Sequence, residues 1–336
     1  MLAAEKAVAR LLGVPNVVAT ATGSLAFDLI LNTVDFEDDA EAVLPVFGWI
    51  SVVASVRRRG LRPVLADLHD GPTTSLRQLL GVTTPRTRVW VITHMRGHVV
   101  RDAAAIRREA DARGILLVED CAQAWGAKID GRCAGVFGHY AFFSTQSNKI
   151  LAAGEGGFVV AHSEVLLESV RCLAGYDPGA DLMQAGRQLN ARMTEVTAST
   201  LLPQIRHLPR IVERLRATRN ILSTELHTRS NLGSLQVWGD AAHGNSVTTA
   251  FLAASVDQAR TLHDKLNAQG VAAYMPGGAG DRHNAAAWQM IDGPSVALLK
   301  SMTALPRYVD VPTPLMGSSR SREWARTIVD AAKEAV

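Results

Sequence analysis

Seven apolar, β-rich runs alternate with helix-like stretches along the first half of this chain: residues 15–22, 42-AVLPV-46, 62-RPVLAD-67, 88-RVWVITH-94, 114-GILLVED-120, 139-HYAFFS-144 and 156-GGFVVA-161. Several are apolar at successive positions, so both of their faces must be covered. Strands of a mostly parallel sheet with helices on each side meet that requirement. The pattern therefore predicts an α/β layer of seven strands. The helices between them include 24-SLAFDLILNTV-34, with Ser24 as its cap, and 102-DAAAIRREADARG-114, which opens on aspartate and stops at glycine. After about residue 190 the texture changes. Residues 195–226 read as a long arginine-rich amphipathic helix, interrupted or kinked near Pro203 and Pro209. A strand near 247-VTTAFLAA-254 and a final helix at 318–335 follow. The predicted organisation is a large α/β domain over residues 1–215 and a smaller C-terminal α+β domain over 216–336, for which a chain of 336 residues is ample.

The composition excludes several classes of protein. With 47% apolar and 20% charged residues, long disorder is not expected. The net charge of +3 comes with no basic block longer than 57-RRR-59, read as a solvated helix face, so no nucleic-acid partner is expected. Cys121, Cys133 and Cys172 have no CxxC spacing and cannot all pair; neither a disulfide scaffold nor a metal site is expected, and a reducing, cytoplasmic setting fits. The start, 1-MLAAEKAVARLLGV-14, lacks the basic-then-apolar order of a secretory signal. No apolar run approaches the roughly 20 residues that cross a bilayer, so no membrane partner is expected.

Within the strand pattern, Asp120 closes the run 115-ILLVEDCAQAWGA-127, and Lys149 follows in 139-HYAFFSTQSNKILAAGEGGFVV-160. An acid ending one strand and a lysine beyond the next can hold pyridoxal phosphate, the lysine on the aldehyde carbon and the carboxylate facing the ring nitrogen. Lysine is scarce here, six residues among 35 lysines and arginines, and a deprotonatable amine is something arginine cannot supply. Ser144 can donate to a phosphate oxygen, and 154-GEGG-157 lets the backbone turn where side chains would collide with a ligand. Gly23 and Ser24 follow the first strand and start a helix, where free N–H groups favour a phosphate; Ser24 can equally be a plain helix cap. Trp49, after the second strand, can stack on a flat ring or simply fill the core. Asp120 can be a paired structural acid or the partner of a pyridinium. His94, His98 and His283 show no metal-ligand spacing and read as polar loop or surface residues, although His283, in the glycine-rich and potentially mobile 274–288 segment, is placed to touch a substrate.

These residues resemble the DegT/StrS family of sugar and aminocyclitol aminotransferases, a branch of the fold-type-I pyridoxal phosphate enzymes. The likeness is carried by 118-VEDCAQAWGA-127, 135-GVFGHYAFFSTQSNKILAAGEGG-157 and 190-NARMTE-195, and more weakly by 22-TGSLAF-27, 45-PVFGWISVVASVRRRGLRPVLAD-67 and 93-THMRGH-98. The D-x-A-Q and S-x-x-x-x-K-x-x-x-x-G-E-G-G pair is its specific part. The resemblance implies that Lys149 bonds the cofactor aldehyde and shuttles the proton, and that Asp120 partners the ring nitrogen. It implies further that Gln123 contacts the ring's phenolic oxygen, that Trp49 stacks on the ring, and that Gly23, Ser24 and Ser144 hold the phosphate. Asn190 is then expected to reach the phosphate of a neighbouring subunit, so that a homodimer completes the site. The implied reaction moves an amino group from glutamate or glutamine to a keto sugar or keto cyclitol, in a secondary-metabolite or glycan pathway.

The chain departs from the family in places. It is expected to lack the helix and loop usual before the first strand and to be short between Gly157 and Asn190. The segment 144-STQSN-148 looks more like the cyclitol and aminobenzoate-forming branch than the nucleotide-sugar branch. Retention of Lys149 argues against the family's dehydratases, which carry histidine there. Two other readings stay open: another lysine-dependent reaction of the same cofactor, such as an elimination, aromatising dehydration or cyclisation, and a non-catalytic regulator on the same fold. Arg187, Arg192 and Arg282 are candidate anion contacts.

Overall fold

The computed structural model describes residues 1–69, 71–176, 188–228, 235–238, 243–277, 281–284 and 299–335. All seven predicted strands join one sheet: β1 (Val17–Thr20), β2 (Glu41–Pro45), β3 (Arg62–Ala66), β4 (Thr87–Thr93), β5 (Leu116–Asp120), β8 (Tyr140–Ser144) and β9 (Gly157–Ala161), in the order β1-β9-β8-β5-β4-β2-β3. A small hairpin of β6 (Lys128–Ile129) and β7 (Arg132–Cys133) stands apart. Only β9 opposes its neighbours, pairing antiparallel with β1 and β8, while the remaining pairs are parallel. The six other strands thus end on one edge of the sheet, where an α/β fold places its ligands.

Successive strand residues face opposite layers, as the pleat requires. In β4, Trp90 and Ile92 join one core with Ala4 and Val8 of α1 (Leu2–Leu12), Leu79 of α4 (Leu76–Val82) and Ile106 of α5 (Ala103–Arg113). Val89 and Val91 join the other, with Phe27 and Ile30 of α2 (Gly23–Asn32), Val53 of α3 (Ile50–Arg58) and Val170 of α6 (Glu164–Leu173). A third core surrounds the antiparallel sheet of β10 (Gln236–Val237), β11 (Thr248–Leu252) and β12 (Tyr308–Pro312). It gathers Phe251, Val309 and residues of α8 (Val256–Ala268) and α10 (Ser318–Glu334), while the short α9 (Leu299–Ala304) precedes β12.

The long helix α7 runs from Glu195 to Thr228 through both Pro203 and Pro209, so of the expected interruption or kink the interruption does not occur. Each proline removes one backbone donor, but Leu201, Ile205, Leu208 and Val212 bury the face that packs on the first core. Tertiary burial therefore outweighs the local penalty. A helix, α1, also precedes β1, where the family comparison led us to expect none. The cap of α2 is Thr22, not Ser24: its hydroxyl accepts the Leu25 N–H at 3.0 Å, typically worth about 1 kcal/mol. Asp102 sits at the start of α5 but its carboxylate accepts the Leu76 N–H of α4 at 2.7 Å, joining two helices rather than capping its own.

Candidate active site

Five strand ends deliver side chains to one narrow cleft of about 80 Å³: Gly23 beyond β1, Trp49 beyond β2, Thr93 on β4, Asp120 on β5 and Ser144 on β8, with Gln123, Lys149 and Glu155 beside them. Seven of the eight residues singled out in the sequence therefore line a single cavity. Asn190 does not; its side chain is exposed next to the Ala191 N–H that bonds Ala174 O. A roomier cavity of about 770 Å³, lined by Thr73, Arg77 and Arg101 among others, holds neither Lys149 nor Asp120.

Asp120 is 3% exposed. Oδ1 accepts the Ala122 N–H at 3.0 Å, and among the described residues Oδ2 has only the Thr93 hydroxyl, at 3.5 Å. Burial pushes its pKa above the ordinary carboxylate value, against the pull of the Ala122 N–H and the Lys149 ammonium. A cationic N–H donor is what this carboxylate lacks. Lys149 rides on the turn between the antiparallel neighbours β8 and β9, its N–H bonded to Gln146 O at 2.9 Å. Burial depresses its ammonium pKa and the Arg96 guanidinium adds to that, with Asp120 and Glu155 opposing. Its proton is therefore released more readily than that of an exposed lysine.

At the other end of the cleft, Leu25 and Ala26 N–H bond to Thr22, which leaves the N–H groups of Gly23 and Ser24 without an acceptor among the described residues. Ser24 Oγ donates to Ser51 Oγ at 2.9 Å, so Ser51, which sequence reasoning missed, adds a hydroxyl to this end. Gly23 must be glycine because a Cβ there would lie 2.9 Å from Ser144 Cβ. Two of the glycines after Lys149 are required by the protein itself: a Cβ on Gly156 would meet Thr145 Oγ1 at 2.3 Å, and one on Gly157 would meet the Thr22 backbone at 2.7 Å. Gln123 Oε1 accepts the Arg96 N–H at 2.6 Å, which orients its amide and leaves the NH2 group for the cleft. Trp49 meets the His283 ring edge-on at 4.8 Å, and 281–284 docks beside it through Gly48 N–H to His283 O and Ile50 N–H to Arg282 O, both 2.9 Å. Residues 278–280 and 285–288 of that glycine-rich segment, like Arg187, lie outside the described residues.

His94 lies in the loop just after β4, as expected, but it is not a surface residue. It is fully buried, with Nδ1 accepting the Val100 N–H at 3.1 Å; Nε2 therefore carries the proton and donates to Glu119 at 2.9 Å. Glu119 also accepts from Gly135, Phe137 and Gly138 N–H. His94, Glu119 and Cys121 come close enough to hold a metal ion, but these bonds already use the Glu119 oxygens, and burial pushes the Cys121 thiol well up.

The chemistry of this donor set fits pyridoxal phosphate. Asp120 would face the ring nitrogen, Lys149 would reach the aldehyde, and the Gly23 and Ser24 N–H groups with the Ser24, Ser51 and Ser144 hydroxyls would hold the phosphate. A mostly parallel sheet whose strand ends carry that set is the architecture expected of the fold-type-I pyridoxal phosphate class. The chain belongs to the DegT/DnrJ/EryC1/StrS aminotransferase family, whose model matches residues 2–277. It is 35% identical over 217 residues to the dTDP-3-amino-3,4,6-trideoxy-alpha-D-glucose transaminase of Micromonospora megalomicea subsp. nigra, a match covering 63% of this chain and 58% of that protein. It is 30% identical over 228 residues to the L-glutamine:2-deoxy-scyllo-inosose aminotransferase of Streptoalloteichus tenebrarius, covering 64% and 53%. The chain thus spans little more than half the length of these relatives. Among solved structures, DesI crystallised in the presence of its TDP-sugar product superposes with a TM-score of 0.85 at 26% identity, over 98% of this chain and 84% of that one.

Proposed function

We propose that this chain transfers an amino group from glutamate or glutamine to a keto sugar or keto cyclitol in a secondary-metabolite or glycan pathway. The observation that carries the reading is the meeting of Lys149, the buried Asp120 and the open N-terminus of α2 around one cleft. The names of the two relatives above, one acting with L-glutamine on a cyclitol and one a dTDP-sugar transaminase, support the donor and acceptor classes.

When bound, pyridoxal phosphate supplies an aldehyde that condenses with amines and a protonated ring that delocalises a carbanion's electron pair. The chain's residues do the rest. Lys149 Nζ, its ammonium pKa lowered by burial, removes the Cα proton of the donor and returns it one atom away. Asp120 keeps the proton on the ring nitrogen, and Gln123 NH2 steadies the phenolic oxygen. For the second substrate Lys149 runs the same proton transfer in reverse. Asn190, exposed and outside the cleft, is assigned to the phosphate of a second copy, making the working unit a cytoplasmic homodimer. A division into residues 1–215 and 216–336 belongs to the same proposal, with α7 crossing the boundary.

The test is the absorbance of the protein loaded with pyridoxal phosphate before and after L-glutamine or L-glutamate. A visible-edge band that bleaches to the near-ultraviolet amine form, and a Lys149→Ala variant that shows neither the bleaching nor turnover, is the expected result. Substantial turnover by Lys149→Ala would overturn it.

A further inference from the structure

Lys149, Gln123 and Ala122 line a second chamber as well, of about 440 Å³, on the far side of the cleft. Its walls are largely aliphatic, with Ile150, Ile211, Leu215, Val247 and Leu315. Besides Lys149, the only cationic side chain that lines it among the described residues is Arg96. Arg96 was not among the arginines considered from the sequence. Arg192 and Arg282, which were, are exposed and line neither chamber.

Arg96 is fixed unusually firmly. It lies in the turn after β4 at φ 56°, a conformation that non-glycine residues seldom adopt. Its N–H holds Gln123 at 2.6 Å, and its carbonyl accepts the Thr248 hydroxyl at 2.8 Å. Its Nε donates to Asp310 Oδ2 at 2.6 Å and Nη2 donates to Oδ1, while Tyr308 O–H donates to the same carboxylate at 2.6 Å. The Tyr274 ring covers the guanidinium at 4.8 Å. Asp310 therefore takes one edge of the fork, and Nη1 keeps its two donors with no acceptor among the described residues. Thr313, 7% exposed and with a hydroxyl that has no hydrogen-bond partner among the described residues, lines the same chamber. A pre-oriented arginine edge and an unpartnered hydroxyl in a largely apolar chamber suit a planar two-oxygen anion.

We infer that Arg96 is the residue that recognises the α-carboxylate of the amino donor, with the aliphatic wall receiving its methylene chain. The inference rests on the proposed amino transfer and adds the donor's anchor. Asp310, Tyr308 and Tyr274 serve to hold Arg96 in place, and because Arg96 also holds Gln123, donor and cofactor are registered against the same residue.

The discriminating variant is Arg96→Lys, which keeps a cation for the buried Asp310 but loses the fork. Each donor is compared with its decarboxylated amine, L-glutamate with 4-aminobutyrate and L-glutamine with 4-aminobutanamide, by the rate at which the holoenzyme's cofactor band bleaches. Wild type is expected to prefer the carboxylated member, and Arg96→Lys to lose that preference by about tenfold or more, without a matching loss for the amines or for the keto acceptor. Calorimetric binding of 2-oxoglutarate, which cannot react with the aldehyde form of the holoenzyme, should weaken by a similar factor. A purely structural role would slow both members of each pair alike or lower the melting temperature without changing the ratio. A dominant effect on the acceptor's KM would place its anion there instead. Any of these results overturns the inference. A wild-type holoenzyme that binds 2-oxoglutarate through Arg96 but converts neither amino acid would instead refute the amino-transfer reading and leave the carboxylate site standing.

Discussion

Asp120→Asn should move stability in opposite directions with and without the cofactor. In the cofactor-free protein the carboxylate is 3% exposed and has one good hydrogen bond, from Ala122, with Thr93 at 3.5 Å a weak second. A buried charge so poorly satisfied is destabilising, and an isosteric amide that keeps the Ala122 bond removes about 1–3 kcal/mol of desolvation penalty. The folded-state pKa of this acid is raised, so the native protein binds its proton more tightly than the unfolded chain. Stability is then greatest below the ordinary carboxylate value of 3.8 and is lost as pH rises from there through the raised pKa; Asp120→Asn should flatten that slope. Bound pyridoxal phosphate reverses the preference, because the carboxylate gains a pyridinium N–H. Loss of that charge-assisted bond, about 1.5–3 kcal/mol, weakens cofactor binding by roughly 10- to 150-fold. The assay is thermal unfolding of both forms between pH 4 and 8, with a spectroscopic titration of the cofactor. A cofactor-free variant less stable than wild type at pH 7, or cofactor affinity unchanged, would refute the reasoning.

Three other outcomes follow from the structure. Gly157→Ala places a methyl within 2.7 Å of the Thr22 backbone and the Gly23 nitrogen, so it should destabilise by about 1–3 kcal/mol in denaturant unfolding and weaken phosphate binding by calorimetry. Glu119→Gln sets an amide against three backbone N–H donors and the His94 proton, and should lower stability by about 3–5 kcal/mol in the same measurement. Burial alone would raise the Glu119 pKa, but His94 and those N–H groups hold it below 4.5, so its contribution is present above that value and is lost on acidification through the depressed pKa; acid titration of the variant should lack this step. Finally, transfer should fall on acidification as Lys149 Nζ takes up its proton, with a midpoint below the ordinary lysine value of 10.5, measured from the pH profile of the cofactor-conversion rate.

Much of the site was legible because its chemistry is tied to strand ends. Asp120, Ser144 and Trp49 each close or follow an apolar run, and a parallel sheet brings such ends together whatever the sequence distance between them. What escaped the sequence depends on contacts across the chain. Ser51 sits in an unremarkable helix start until α2 brings Ser24 to 2.9 Å from it. His94 read as exposed because nothing local shows that Glu119, 25 positions on, will receive its proton. Arg96 had no signal beyond 93-THMRGH-98, since its partner Asp310 is 214 residues away.

By itself the sequence determined the seven strands, the lysine and acid that meet in one cleft, and the change of texture that begins the long helix. Period, apolar run length and residue chemistry are local, and so they survive without a structure. Tertiary structure alone decided that both prolines lie within one unbroken helix, that Gly156 and Gly157 make room for Thr145 and for the Thr22 backbone, and that an arginine locked to the distant β12 stands beside Lys149. Those outcomes rest on burial and on pairings between residues far apart in the chain, whose energies exist only once the layers have closed.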